Sequence, residues 1–413
     1  MTVDSTLPST TLNTGWLYEN SLKVILANQA DSGAFIASPN FGQYHYSWFR
    51  DGAFIALALS ETGRPETITA SRRFHDWVNN IIQRYRTLAE GAIAKVKAGE
   101  TLNPVRDVLH CRYTVDGEPS VEDWTPFQID GFGTWLYALA DYCRALEPSE
   151  AAQELARYND SIALLVDYLG ALWRIPNYDC WEEHGDKIAT STLAALYGGL
   201  SQVVELAAYR PGDALLAGAA TTSVGVAAEI KAYILENGTA TDSATGQRYL
   251  TKFCGGAAPG ELAGTVDANL LWAAVPYGLW TVNDPLIQAT VERIIQDLVA
   301  GGKLNGQAGV HRYARDTYFG GGEWLLLTAW LAIVRLAQSD VSGAKALLQW
   351  IEKQAQPDGA LPEQTFEHLN QPDMLNFWVD LWGEVATPLV WSHASYVSLI
   401  NCLRVAGVTL AGK

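Results

Sequence analysis

The chain has 413 residues, 48% of them hydrophobic, and a formal net charge of −17, a size that holds two or three average domains or one large helical one. A surface this acidic repels nucleic acid and anionic membrane, so neither is expected as a partner, whereas a neutral ligand meets no such barrier. The longest strongly apolar stretch, Trp324 to Val334, is too short to cross a bilayer. Met1 to Ser9 is polar and shows no apolar leader, and Cys111, Cys143, Cys180, Cys254 and Cys402 include no Cys-x-x-Cys pair, so reduced thiols and a cytoplasmic location are expected.

After a flexible segment expected over 1–13, two kinds of helical pattern alternate along the chain. Residues 14–29 are amphipathic, 51–62 apolar all round, 66–98 amphipathic, 130–146 apolar, 150–172 amphipathic and 187–208 apolar. Then 213–236 is amphipathic, 267–279 apolar, 284–300 amphipathic, 323–338 apolar, 341–356 amphipathic and 392–407 apolar. The stripe Leu155, Tyr158, Ile162, Leu165, Leu169, Leu172 shows the one-sided kind, with Glu154, Arg157 and Asp160 on other faces. Strand-like alternation is nearly absent, which argues against a parallel α/β sheet. One-sided helices suit an outer wall and all-apolar ones an inner wall. The expected fold is therefore all-α: six outer and six inner helices closed into a double-walled ring. An open solenoid of helix pairs is the competing arrangement, but it would carry a repeat of fixed period, and none is visible. No Pro- or Ser-rich linker divides the chain, so 1–413 is expected to be a single domain.

The loops leading into the inner helices are long and rich in Trp, Tyr, Gly and carboxylates, while those leading out are mostly short. The first holds Tyr44, Trp48, Arg50 and Asp51, and the second Trp124, Gln128 and Asp130. The third is Asn177-Tyr-Asp-Cys-Trp-Glu-Glu-His-Gly185. The fourth contains Asp267, the fifth runs from Arg312 through Asp316 and Tyr318 to Trp324, and the sixth from Pro357 through Glu363 and Gln364 to Trp391, Ser392 and His393. Aromatic faces and carboxylates around one pit are how a protein holds a sugar, rings against its C–H faces and polar groups on its hydroxyls.

In the third loop Asp179, Glu182 and Glu183 crowd Trp181 just before a helix is expected to begin. Mutual repulsion and the cover of Trp181 favour a protonated carboxyl, a proton donor near pH 7; the helix start and Lys187 oppose this. A solvated acidic loop is the bland alternative. An inverting glycosidase also needs a base about 6.5–9.5 Å from its acid. Glu363, in a Gly/Pro-containing loop opening on the same pit, is the leading candidate. Metal and nucleotide chemistry find no support, since the seven His form no His-x-x-x-His and Gly320-Gly-Gly322 lacks the Lys-Ser/Thr of a phosphate loop, so no cofactor is expected.

Taken together in order, Tyr44-x-x-x-Trp48-x-Arg50-Asp51, Trp124…Gln128-x-Asp130-Gly131, Trp181-Glu182-Glu183, Arg312-Tyr313-x-x-Asp316-x-Tyr318…Trp324, Pro362-Glu363-Gln364 and Leu389-x-Trp391-Ser392-His393 resemble glycoside hydrolase family 15, the glucoamylases and their relatives. The resemblance spans about 15–407. It implies an (α/α)6 barrel and an inverting exo-hydrolase that frees glucose from non-reducing ends, with Glu182 as general acid and Glu363 as general base. It further implies Arg50 and Asp51 on hydroxyls of the terminal glucose, Tyr44, Trp48 and Trp391 as pocket wall, Glu183 and Arg312 on the neighbouring sugar, and Asp179 and Trp124 behind the acid. Trp181 and Trp324 join them as aromatic candidates for substrate contact. The chain departs from the pattern in His184-Gly185-Asp186-Lys187 and at Phe127, on the side of the leaving group, and neither a starch-binding module nor an N-terminal β-sandwich is expected. Short α-1,6 or α-1,4 gluco-oligosaccharides are thus the expected substrates. Trehalose hydrolysis, and a non-catalytic carbohydrate-binding or regulatory role on the same fold, are the alternatives; the second should have lost one of the two carboxylates.

Overall fold

The computed structural model describes residues 13–120, 124–255 and 265–410; the N-terminal segment expected to be flexible lies, up to residue 12, outside them. Helix starts follow ordinary capping chemistry. The Asn13 side chain accepts the N–H groups of Gly15 and Trp16 at the head of α1 (Thr14–Ala27), and Asp213 and Asp284 cap α9 (Ala214–Asn237) and α10 (Pro285–Leu298) in the same way.

The remaining helices, in chain order, are α2 (Phe49–Ser60), α3 (Pro65–Arg84), α4 (Arg86–Lys97), α5 (Asp130–Arg144), α6 (Pro148–Leu155), α7 (Asn159–Leu172) and α8 (Thr190–Ala208), then α11 (Leu325–Ala337), α12 (Val341–Lys353), α13 (Leu375–Trp382) and α14 (Val390–Val405). Helices α2, α5, α8, the 3-10 helix Ala268–Ala273, α11 and α14 each pack on the next, and α14 packs back on α2. This is the closed inner ring. Every residue of α2 is buried, and so is all of α11 from Leu325 to Val334. Outside it, α1 covers α14, α3 covers α2, α9 covers α8 and α12 covers α11. The amphipathic stripe from Leu155 to Leu172 is fully buried on the ring side. The fold is the all-α (α/α)6 arrangement expected, not a solenoid.

Four expectations are corrected in detail. The long outer helix over 66–98 breaks at Tyr85, whose ring lies 5.8 Å from Tyr113 and whose hydroxyl reaches Glu118. The pattern over 150–172 likewise divides into α6 and α7. The fourth inner element, expected as a helix over 267–279, is one short 3-10 helix. Pro276 lacks the N–H that the helix would need, and Gly278 takes φ +62°. The third inner helix starts at Thr190, because Ile188–Ala189 pairs instead with Phe253–Cys254. Helix α13, inside the sixth loop, was not expected.

Strands of two or three residues clip the loops together at one end of the ring. Ser47–Trp48 pairs with Arg112–Tyr113, and Glu323–Trp324 lies between Val310–His311 and Gln364–Thr365. Within the inner ring, α5 and α8 approach backbone to backbone. A Cβ on Gly199 would stand 2.1 Å from the Gly133 carbonyl oxygen, and one on Gly133 2.5 Å from that of Ala195. Gly199→Ala is therefore expected to lower the free energy of unfolding by about 1–3 kcal/mol, as overpacking does; an unchanged denaturation midpoint would show that the crossing has slack.

Candidate active site

The loop end of the ring encloses a pit of about 280 Å³, lined from five of the six loops that lead into inner helices. Tyr44, Trp48, Arg50 and Asp51 come from the first, Trp124 from the second, Trp181, Glu182 and Glu183 from the third, Arg312 and Trp324 from the fifth, and Glu363 and Trp391 from the sixth. Every residue expected at the site lines the pit except Asp179, which lies behind it. Among the described residues the fourth loop supplies no lining side chain.

Glu182 is presented by a tight turn. Asp179 Oδ1 accepts the N–H groups of Trp181 (3.0 Å) and Glu183 (3.1 Å). The Glu182 N–H donates to the Asp179 carbonyl and the Asp179 N–H to that of Glu183. The turn holds Glu182 at φ +67° and His184 at φ +54°, left-handed values that cost a residue with a Cβ free energy and persist only where the surroundings impose them. The Glu182 carboxylate accepts the Trp48 indole N–H at 2.5 Å and lies 3.9 Å from Arg50 Nη2.

Burial raises the proton affinity of Glu182; the charge of Arg50, then Trp48, Trp124 and Gln128, pull against it. The repulsion expected among the three carboxylates is not the cause, because each has its own cation. Asp179 turns back to Lys252 (3.2 Å) and Glu183 goes to Arg312 (3.3 Å) and the Tyr313 hydroxyl. The main pulls against burial are also not the helix start and Lys187 that the sequence suggests: α8 begins eight residues on, and Lys187 pairs with Asp186.

Arg50 is fixed by Gln128 Oε1 (2.9 Å) and Asp130 Oδ2 (3.2 Å) and leans over the Trp391 ring. Its Nε and Asp51 Oδ2, 3.5 Å apart, are buried without a hydrogen-bond partner among the described residues. A donor and an acceptor side by side match two adjacent sugar hydroxyls. Burial pushes the Asp51 carboxyl up to about 7 against the pull of Arg50.

Glu363, also at the pit, is 2% exposed. Its Oε1 accepts from the Tyr44 hydroxyl at 3.1 Å, which is in turn 2.9 Å from that of Tyr318; Oε2 has no partner among the described residues. Burial pushes this carboxyl up to about 8, with the Tyr44 hydrogen bond and then the Arg312 charge drawing it down.

Several residues of the site were missed. Trp378 and Trp382 of α13 line the pit, and Trp382 stacks with Trp124 across its mouth, ring centroids 6.2 Å apart. The spacing Leu375, Trp378, Val379, Trp382 is helical and was available as a signal. Tyr318 stands out only through its partners. Arg112 lies behind the wall, its guanidinium 3.9 Å from the Trp124 ring and 5.3 Å from that of Trp48. Asp267 accepts the Trp181 indole N–H at 2.9 Å and joins Lys252 at 2.7 Å. His393, by contrast, is a core residue, fully buried between the Leu361 N–H and Ser21. Away from the pit lining, Glu323, Glu367 and His368 come close enough to share a cation, with His368 paired to Glu323 at 3.0 Å.

The sequence model of the glycosyl hydrolases family 15 matches residues 14–401. The isomaltose glucohydrolase of Kribbella flavida is 36% identical over 386 residues, 93% of this chain and 92% of that protein. An uncharacterised glycosyl hydrolase of Methanocaldococcus jannaschii is 26% identical over 92% of this chain and 54% of its own length. The solved structure of a glycosidase in complex with glucose superposes with a TM-score of 0.83 at 35% identity, over 97% of this chain and 99% of that one. A bacterial glucoamylase complexed with acarbose, 20% identical with a TM-score of 0.68 over 93% of this chain and 55% of its own, shares the fold.

The raised affinity of Glu363 for a proton has a stability consequence. The folded state keeps the proton that the unfolded chain releases near the ordinary carboxyl value, so stability falls as pH rises from that value towards about 8. Glu363→Gln removes the titration. Its melting temperature relative to the parent should climb between pH 5 and pH 8.5, and a difference independent of pH would contradict the burial assigned to this carboxyl.

Proposed function

The chain belongs to the family 15 glycosyl hydrolases, and from that premise we propose that it is an exo-acting, inverting α-glucoside hydrolase that releases β-D-glucose from the non-reducing end of short gluco-oligosaccharides. The observation that carries the reading is the pair of carboxyls on one pit, half-buried Glu182 tied to an indole and a guanidinium, and buried Glu363 tied to a tyrosine with one oxygen free of partners among the described residues.

In this reading Glu182 gives its proton to the glycosidic oxygen as the bond to the anomeric carbon breaks. Glu363 Oε2 takes a proton from a water that attacks that carbon from the opposite face, so the configuration inverts. Arg50 and Asp51 hold neighbouring hydroxyls of the terminal glucose, and Trp48 and Trp391 cover its faces. Glu183, Arg312 and Trp324 stand beside the leaving sugar, closed in by Trp124 and Trp382. Asp179 acts from behind the turn. The volume of about 280 Å³ lies at the small end of ligand sites, roughly 300–1,000 Å³, and favours substrates of two or three rings over a polymer. The isomaltose glucohydrolase relative supports an α-1,6 linkage ahead of α-1,4.

Glu182→Gln and Glu363→Gln should each lower kcat by about 10²–10⁴-fold or more, the usual weight of a proton-transfer group, while the fold survives. Near-parental turnover by either variant removes that residue from the mechanism. NMR of the first glucose released should show the β anomer, and initial α-glucose excludes single-step inversion. Among isomaltose, maltose and trehalose, isomaltose is expected to give the highest kcat/KM; preference for trehalose would reassign the substrate.

A further inference from the structure

We propose that Lys252 is a positioning residue for the proton-transfer step: its buried ammonium, shared by Asp179 and Asp267, holds the turn that aims Glu182 at the leaving group. This rests on the reading of Glu182 as the acid. Lys252 is 2% exposed and does not line the pit, so it touches no substrate. Its Nζ lies 2.7 Å from Asp267 Oδ2 and 3.2 Å from Asp179 Oδ2, and 3.7 Å from the centre of the Tyr313 ring. Those three contacts are the supports of the turn. Asp179 receives the N–H groups on either side of Glu182, Asp267 receives the indole N–H of Trp181, and the Tyr313 hydroxyl donates to Glu183.

The backbone of Lys252 is equally committed. Its N–H donates to the Thr265 carbonyl, and its own carbonyl accepts the N–H of Thr190, the first residue of α8. One residue thereby joins the third loop, the fourth loop and the inner helix between them. Without its charge, two buried carboxylates would confront each other. One would take a proton or the two would separate, since an unpaired buried charge is strongly unfavourable. Either way the restraint on Glu182, held at a left-handed φ of +67°, is released. Misplacement by 1 Å costs a reacting group about 100-fold in rate.

The test compares two leaving groups in the full-length protein. Hydrolysis of the best disaccharide substrate needs a proton from Glu182. In α-glucosyl fluoride the C–F bond breaks and fluoride departs as the anion, while the attacking water still loses its proton to Glu363. Lys252→Met should lower kcat on the disaccharide by about 100-fold, change KM by less than about 3-fold, and lower kcat on the fluoride by less than about 5-fold, since binding and base remain intact. Lys252→Arg should recover much of the loss. Asp267→Asn, which keeps an oxygen for the indole N–H, should show the same selectivity in weaker form and decides the matter if Lys252→Met does not fold. Equal losses on both substrates, or no loss on the disaccharide, would overturn the proposal. Glu182→Gln serves as the reference: if it does not itself spare the fluoride, the assignment of the acid fails and the role of Lys252 in this step falls with it.

Discussion

A carboxylate taken out of water must find a cation or take up a proton, and the rim of this barrel is arranged around that constraint. Closing six apolar helices into a ring buries whatever projects from the loops at its end. Among the described residues four cations are buried there: Arg112 lies against the indoles of the wall, and each of the other three ties together carboxylates that the sequence holds far apart. Arg50 of the first loop meets Asp130 of the second and Glu182 of the third. Arg312 of the fifth meets Glu183 of the third and its own Asp316. Lys252 meets Asp179 of the third loop and Asp267 of the fourth. The three carboxylates of the third loop thus diverge to three cations. Their crowding in sequence becomes, in space, a junction of all the other loops but the sixth.

That arrangement explains why a tight, left-handed turn is tolerated at Glu182. Breaking one buried pair by losing a partner costs about 3–5 kcal/mol, more than the roughly 1–3 kcal/mol that a strained backbone residue stores. The turn cannot relax without separating Asp179 from Lys252 or Glu183 from Arg312. Short strand pairs add to the restraint, because the pairing that fixes Trp48 also fixes the indole that donates to Glu182.

Much of this was legible in the sequence, because helix periodicity and loop composition are local signals. The alternation of one-sided and all-apolar helices foretold the double wall, and the concentration of Trp, Tyr and carboxylates before the inner helices foretold which end is hollow. What escaped has physical reasons. Lys252 stands between Thr251 and Phe253 and is no different in sequence from a surface lysine; its partners come from loops more than ten residues away on either side. Helix α13 has the right spacing on one face, yet its exposed side mixes Phe377 and Leu381 with Asn376 and Asp380, so its amphipathic pattern is blurred. Pro276 and Gly278 were visible inside the fourth apolar segment, and their veto on a long helix was overlooked because the apolar run was read for burial alone.

The sixth loop stands apart, and its chemistry follows from being left out of the cation network. Among the described residues Glu363 makes no ion pair; a tyrosine is its only side-chain partner, so burial dominates and its proton is held more tightly than in an ordinary carboxyl. For the base proposed at this position, that preference is unfavourable. Hydrogen bonds donated to the ionised form reverse that preference, and Oε2, buried and without a partner among the described residues, is where a water and the hydroxyls of a sugar would donate in the proposed reaction. In the proposed roles, arrival of substrate would supply the donors that ionise Glu363, whereas Glu182 keeps the fixed surroundings of Trp48 and Arg50. The barrel thereby separates its two carboxyls by what balances each of them: fixed protein groups for Glu182, and the contents of the pit for Glu363.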